Sequence, residues 1–228
     1  MIIQQIRNAT LKIEYGSITF LIDPWFQNQG SGFSAKAVRP EMQGIKCPMN
    51  ALPDSPESVL KGVEYCLVTH LHFDHFSDDY LPRDLRIIAQ NQEDAEKIRE
   101  MGFENAVAFE SELLTIGGIV IHKTKAIHGD SDKVVEKMGE VCGYVFEAPG
   151  EKCLYLAADT IYCSEVEQTI RKTGNVRSNR FRFFKGEKNM QHECKITVLE
   201  TKVFPDLQEK YLVDPKSGPW STLRFGRC

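Results

Sequence analysis

Residues 10–15 (TLKIEY) and 17–22 (SITFLI) alternate or run apolar around Tyr15-Gly16-Ser17, which predicts a β-hairpin near the start of the chain. That pattern ends in Asp23-Pro24-Trp25. Residues 26–58 are then rich in Gly, Ser, Pro, Asn and Gln and show no period. A connection of that length inside a compact domain usually borders a site, so Trp25, Phe26, Phe33, Arg39 and Asn50 are expected along one wall of a pocket. Residues 63–69 (VEYCLVT) make a short buried-strand run. Further strands are predicted over 85–89, 106–108, 113–116 and 119–127, the last two joined at Gly117-Gly118. A helix is predicted over 92–101, closed by Gly102. Residues 141–148 and 153–158 flank the turn Pro149-Gly150-Glu151-Lys152, and 164–172 read as a helix. A strand candidate at 195–204 precedes a final stretch expected to be irregular. Strands and helices intermixed in this way place the chain in the α/β (α+β) class.

Composition adds limits. A chain of 228 residues can bury the core of one generous domain, or of one domain with an appendage. Its 42% hydrophobic and 26% charged residues are those of an ordinary soluble protein. The net charge of −4 advertises neither nucleic acid nor an anionic membrane as partner. Apolar runs are too short to span a bilayer, and the first residues lack the charged and apolar regions of a signal peptide. Seven cysteines form no CxxC, and Cys66, Cys142 and Cys153 sit inside strand-like runs. Reduced, buried thiols are expected, and with them a cytoplasmic location. Residues 171–188 carry Arg171, Lys172, Arg177, Arg180, Arg182, Lys185 and Lys188 with three interleaved phenylalanines. Such a run can track a nucleic-acid backbone. At a junction, however, it is ordinarily a solvated linker, and the overall charge is acidic.

The chemistry concentrates in Thr69-His70-Leu71-His72-Phe73-Asp74-His75, which holds half of the chain's six histidines. Side chains two apart on an extended segment point the same way, so His70 and His72 can grip one ion as they leave the strand at 63–69. Asp74 and His75 fall on the turn beyond. A lone histidine is more often a satisfied core or surface residue than a ligand. Three histidines and a carboxylate within six residues, directly after an apolar strand, are costly unless they are used. Imidazole and carboxylate suit Zn²⁺, Mn²⁺ or Fe²⁺, and two such ions can share one activated water. No Ser/His/Asp or Cys/His arrangement in a suitable context competes with this.

The string THLHFDH resembles the signature of the metallo-β-lactamase superfamily. ATLKIEYGSITFLIDPWF is similar to the opening strands of its ascorbate-phosphate lactonase-like branch and of uncharacterised hydrolase relatives. The resemblance covers about residues 1–172 and implies an αββα sandwich with metals at one edge of its two sheets. It implies that His70, His72 and His128 hold a first metal and that Asp74 and His75 hold a second. Asp159 would bridge the two, and Asp23 would orient a ligand from beneath. It further implies a hydrolase using a metal-activated water on a small ester, lactone or phosphate-bearing substrate, with Asp74 orienting the nucleophile and accepting its proton. Two divalent ions, Zn or Mn with Fe as a further fit, would be the cofactors. Taken alone, Asp159 equally fits a helix cap. His122 reads as structural, and Asp130 and Asp132 as loop carboxylates.

The family pattern normally continues with a strand–helix unit and a strand ending in a further metal-binding histidine. That unit is not recognisable here; His192 in MQHECK precedes a strand candidate instead of ending one. Residues 190–219 are instead similar to the opening of a short uncharacterised bacterial protein family. The expectation is a hydrolase domain over 1–172, incomplete at its C-terminus, followed by a basic linker and atypical appendage over 173–228. A degenerate single-metal domain without turnover is the alternative, and a nucleic-acid-cleaving relative a more distant one. A small-molecule substrate is expected and no membrane partner, with oligomerisation left open.

Overall fold

The computed structural model describes residues 1–34 and 44–173, together with the backbone of 195–198 and 222–224. The chain opens with an antiparallel meander, β1 (Ile2–Gln5), β2 (Leu11–Tyr15) and β3 (Ile18–Ile22). Parallel strands β4 (Tyr65–Val68), β5 (Ile87–Ala89) and β6 (Val107–Ala108) extend it. The second sheet is antiparallel and begins with β7 (Leu113–Ile116), β8 (Ile119–Lys125), β9 (Cys142–Glu147) and β10 (Leu154–Ala158). Two later strands complete the sheets: β11 (Lys195–Val198) runs beside β10, and β12 (Thr222–Arg224) beside β1. The resulting orders are β12-β1-β2-β3-β4-β5-β6 and β11-β10-β9-β8-β7.

Three layers of apolar packing follow from the period of two along the strands. Between the sheets lie Ile13, Tyr15, Phe20, Ile22 and Leu67 from one side and Ile121, Tyr144, Phe146 and Leu156 from the other. On the outer face of the first sheet, Leu21, Cys66, Val68, Ile87 and Ala89 pack with Val59 of α1 (Pro56–Leu60) and with Ala95 and Ile98 of α2 (Gln92–Glu100). On the outer face of the second, Val145, Tyr155 and Ala157 pack with Val166 of α4 (Ser164–Lys172). Helix, sheet, sheet, helix is the αββα order that the resemblance implied.

Cross-sheet polar contacts fix the register of the two layers. The Tyr15 hydroxyl lies 2.9 Å from the Phe146 carbonyl and 2.8 Å from that of Lys152. Tyr144 donates to the Val68 carbonyl at 2.8 Å, and the Cys142 amide donates to Thr69 at 3.2 Å. The last two hold the end of β4, and so the start of the histidine motif, against the second sheet. Gly143 makes room for close packing in that sheet. A Cβ there would stand 2.5 Å from the Leu156 carbonyl oxygen and 2.7 Å from Thr124 Oγ1. Gly143→Ala is therefore expected to cost about 1–3 kcal/mol, the usual range for overpacking. Thermal unfolding checks this, and an unchanged Tm would contradict the close packing.

Several elements differ from expectation. β1 was not anticipated, because IIQQ buries only Ile3. α1 emerges at the end of the polar stretch, where Ser55 caps it by accepting from the Ser58 amide. α3 (Asp132–Met138) replaces an expected loop, so Asp132 opens a helix. The final residues were expected to be irregular, yet Thr222–Arg224 pair with β1. The wall expected over 26–58 is corrected in part: Phe26 is fully buried in the outer core of the first sheet. The buried Arg7 guanidinium fastens this stretch, donating to the carbonyls of Trp25, Gln27 and Asn50. Burial alone pulls its pKa down to about 10. Arg39 lies outside the described residues. Among the described residues, no helix is long and apolar enough to cross a membrane.

Candidate metal centre

Four strand ends converge at one edge of the sandwich. β3 and β4 run parallel with Ile22 beside Leu67, so Asp23 leaves one strand next to the point where Thr69 and His70 leave the other. Asp23 turns away at φ 47°, a left-handed conformation that Asp tolerates better than most residues. Beyond β4 the chain closes a turn in which the amides of His75 and Phe76 both donate to the His72 carbonyl, at 2.9 and 3.1 Å. His128 follows β8, and Asp159 follows β10 directly, after Ala158 at φ 54°. The two loops are tied together: the Ile127 amide donates to Thr160 Oγ1 at 2.9 Å, and the Ile161 amide to the Ile127 carbonyl at 2.8 Å.

These elements bring side chains into two donor groups. His70, His72 and His128 form one, and His70, His75 and Asp159 the other, with donor atoms in each group within 4.8 Å of one another. His70 Nε2 lies 3.0 Å from His72 Nδ1. Asp159 Oδ2 lies 3.4 Å from His75 Nε2 and 3.6 Å from His128 Nε2. Ligands on a tetrahedral ion with bonds near 2.0–2.1 Å stand about 3.3 Å apart. The observed spacings bracket that value, so the residues fit a divalent metal.

Hydrogen bonds outside the cluster aim the rings. His75 Nδ1 is 2.9 Å from Asp23 Oδ2, and a carboxylate can only accept, so the proton sits on Nδ1 and Nε2 faces inward. His72 Nε2 donates to the Met138 carbonyl at 2.8 Å, leaving Nδ1 turned toward His70. Asp23 is fully buried and also accepts from the amide and hydroxyl of Thr69. Met138 was not foreseen: its contact is a main-chain carbonyl at the end of α3, which no side-chain pattern announces. Electrostatics follow burial and neighbours. Burial, reinforced by His75 and His72, drives His70 far below the ordinary imidazole range. For His75 burial is also the largest influence, but Asp23 and Asp159 together outweigh it and raise the pKa to about 10.

Asp74 falls outside both donor groups. It is buried, and its Oδ1 has no hydrogen-bond partner among the described residues. An orphaned carboxylate oxygen is costly unless a cation or proton occupies it. The helix-cap reading of Asp159 fails, because α4 is capped at Cys163. His122 stands apart, exposed, with Nε2 3.3 Å from Glu147. His192 lies outside the described residues. Phe73, half-exposed within the motif, meets Phe33 with ring centroids 3.9 Å apart.

Comparison with known proteins decides the family. The Beta-lactamase superfamily domain matches residues 19–178. The chain belongs to this superfamily. It is 39% identical over 175 residues to the UPF0173 protein YddR of Bacillus subtilis (strain 168), covering 75% of this chain and 67% of that protein. A UPF0173 metal-dependent hydrolase of Koribacter versatilis is 29% identical over 159 residues, covering 64% of this chain but only 57% of the relative. An isothiocyanate hydrolase from Delia radicum gut bacteria shares the fold with TM-score 0.68 and 33% identity, over 76% of this chain and 68% of its own. A possible metal-dependent hydrolase from Veillonella parvula matches with TM-score 0.67 and 31% identity, over 75% and 67%. The chain thus spans roughly two thirds or less of the length of each of these relatives.

Proposed function

We propose that this superfamily member is a metal-dependent hydrolase that turns a water on a small ester, lactone or phosphate-bearing substrate. The observation that carries the reading is the pair of donor groups sharing His70. One ring nitrogen serves one ion, so lone-pair counting divides the site. His70, His72 and His128 hold the first metal; His75, Asp159 and the orphaned Asp74 hold the second. Divalent metal there, Zn or Mn in the first instance, supplies hydroxide near neutral pH and stabilises developing negative charge. The chain's own residues do the rest. Asp23 keeps a proton on His75 Nδ1 and so presents Nε2, the Met138 carbonyl does the corresponding work for His72, and Asp74 accepts the proton of the attacking water.

Two names among the relatives, metal-dependent hydrolase and isothiocyanate hydrolase, support a hydrolytic reaction. The test is hydrolysis of a panel of lactones, aryl esters and phosphodiesters, before and after chelation and with Zn²⁺ or Mn²⁺ restored. Activity lost on chelation and regained with metal supports the reading. Two bound metals with no turnover on any substrate would overturn the enzyme and leave a metal-binding domain.

A pH prediction follows from His75. Raised to about 10, it is protonated at pH 8 in metal-free protein, and coordination through Nε2 must displace that proton. Metal uptake at pH 8 in weak buffer is expected to release about one proton per chain from His75, and His75→Ala to lose that release. Equal release from both proteins would remove His75 from the ligand set.

A further inference from the structure

The motif's first residue has a role that neither its position nor the family match assigns. We propose that Thr69 is a positioning residue whose hydroxyl passes the hold of Asp23 on to His70 and fixes which nitrogen of that ring meets the metal. The proposal rests on the metal site put forward above.

Thr69 and Asp23 are buried, at 1% and 0% exposure, so no solvent competes for their bonds. Thr69 Oγ1 lies 2.8 Å from Asp23 Oδ2 and 3.0 Å from His70 Nδ1. A hydroxyl has one proton to give. If Thr69 gave it to His70, oxygen lone pairs would face each other at 2.8 Å across the Asp23 contact. The proton therefore goes to Asp23, and the threonine oxygen accepts from His70 Nδ1–H. Nε2 is left with its lone pair.

The consequence appears at the other end of the ring. His70 Nε2 stands 3.0 Å from His72 Nδ1, and the Met138 carbonyl has already left that nitrogen without a proton. In the opposite tautomer, His70 Nε2–H would donate straight to His72 Nδ1. That imidazole–imidazole bond would occupy the two lone pairs the first metal needs. The Thr69 hydroxyl removes this competing state by claiming the proton at Nδ1. One carboxylate thereby sets two rings, His75 directly and His70 through one hydroxyl.

The geometry also makes the test clean. The Thr69 amide donates to Asp23 Oδ1 at 2.7 Å, a main-chain bond that survives any substitution that keeps the backbone in place. Thr69→Val replaces the hydroxyl by a methyl of similar shape, and Thr69→Ser keeps the hydroxyl and loses the methyl. Zn²⁺ affinity, read by competition with a chromophoric chelator, is expected to fall about 10–100-fold in Thr69→Val, the usual effect of losing a ligand-orienting partner. Thr69→Ser should stay near wild type. Imidazole ¹⁵N shifts of metal-free protein give a readout independent of metal: His70 protonated on Nδ1 in wild type and Thr69→Ser, with Nε2–H gained in Thr69→Val. Wild-type Zn²⁺ affinity in Thr69→Val, or a wild-type His70 protonated on Nε2, would overturn the proposal. If wild type takes up no Zn²⁺, the functional reading fails, and the ring spectra still decide the role of Thr69. If Thr69→Val does not fold, the wild-type and Thr69→Ser spectra decide it.

Discussion

His70→Ala is expected to cost the first metal and, with it, hydrolysis. His70 is the one residue common to both donor groups, and it is buried at 1% exposure between them. Its loss takes a nitrogen from the first metal and leaves that ion only His72 and His128. Without that metal, the pKa of the reacting water rises toward that of bulk water, and hydroxide near neutral pH becomes negligible. Activity should fall by more than the roughly 10²–10³-fold that one stabilising donor is worth. His122→Ala is the matched control, since that ring is exposed and sits on β8 beside Glu147. It should keep wild-type metal and activity. A His70→Ala protein that retained activity would show that the histidine cluster is not the reacting site.

The second large effect is at Asp23. Its carboxylate accepts from the Thr69 amide at 2.7 Å, from the Thr69 hydroxyl at 2.8 Å and from His75 Nδ1 at 2.9 Å, all out of water. Asp23→Ala strands these donors, and each buried donor left without a partner costs about 1–3 kcal/mol. A domain of this size loses about 2–4 °C of Tm for each kcal/mol, so a clear drop in Tm is expected. Asp23→Asn separates orientation from stability. Asparagine tolerates the left-handed backbone at φ 47° and keeps one acceptor, but an amide NH₂ facing His75 reverses the ring's tautomer. It should fold, and lose metal affinity about 10–100-fold. Unchanged metal affinity in Asp23→Asn would mean that this carboxylate serves the fold alone.

What the sequence disclosed followed from side-chain pattern. Residues 17–22 and 153–158 were legible as strands because nearly every position in β3 and β10 is apolar and buried. α2 and α4 were legible from their helical period and bounded ends. The cluster from His70 to His75 announced itself because its chemistry is packed into one string. α3 was hidden for the converse reason: it is short and fully buries no side chain, with Val134, Val135 and Met138 only half-buried. The Met138 carbonyl was invisible because a main-chain acceptor leaves no trace in residue type. Phe26 was misplaced because a polar neighbourhood said nothing about a single aromatic turned into the core. The pairing of ligands across loops depends on register between strands far apart in sequence. Only the resemblance supplied His128 and Asp159, and the fold brings both to the same edge as His70.

Metal content per chain, measured by elemental analysis on wild type and on His75→Ala, bears most directly on the two-metal site. His70, His72 and His128 remain intact in the variant, whereas the set of His75, Asp159 and Asp74 loses its only nitrogen. Two metals per chain in wild type, falling to one in His75→Ala, is the result predicted. One metal per chain in both proteins would contradict the dinuclear site and leave a single-metal domain held by His70, His72 and His128.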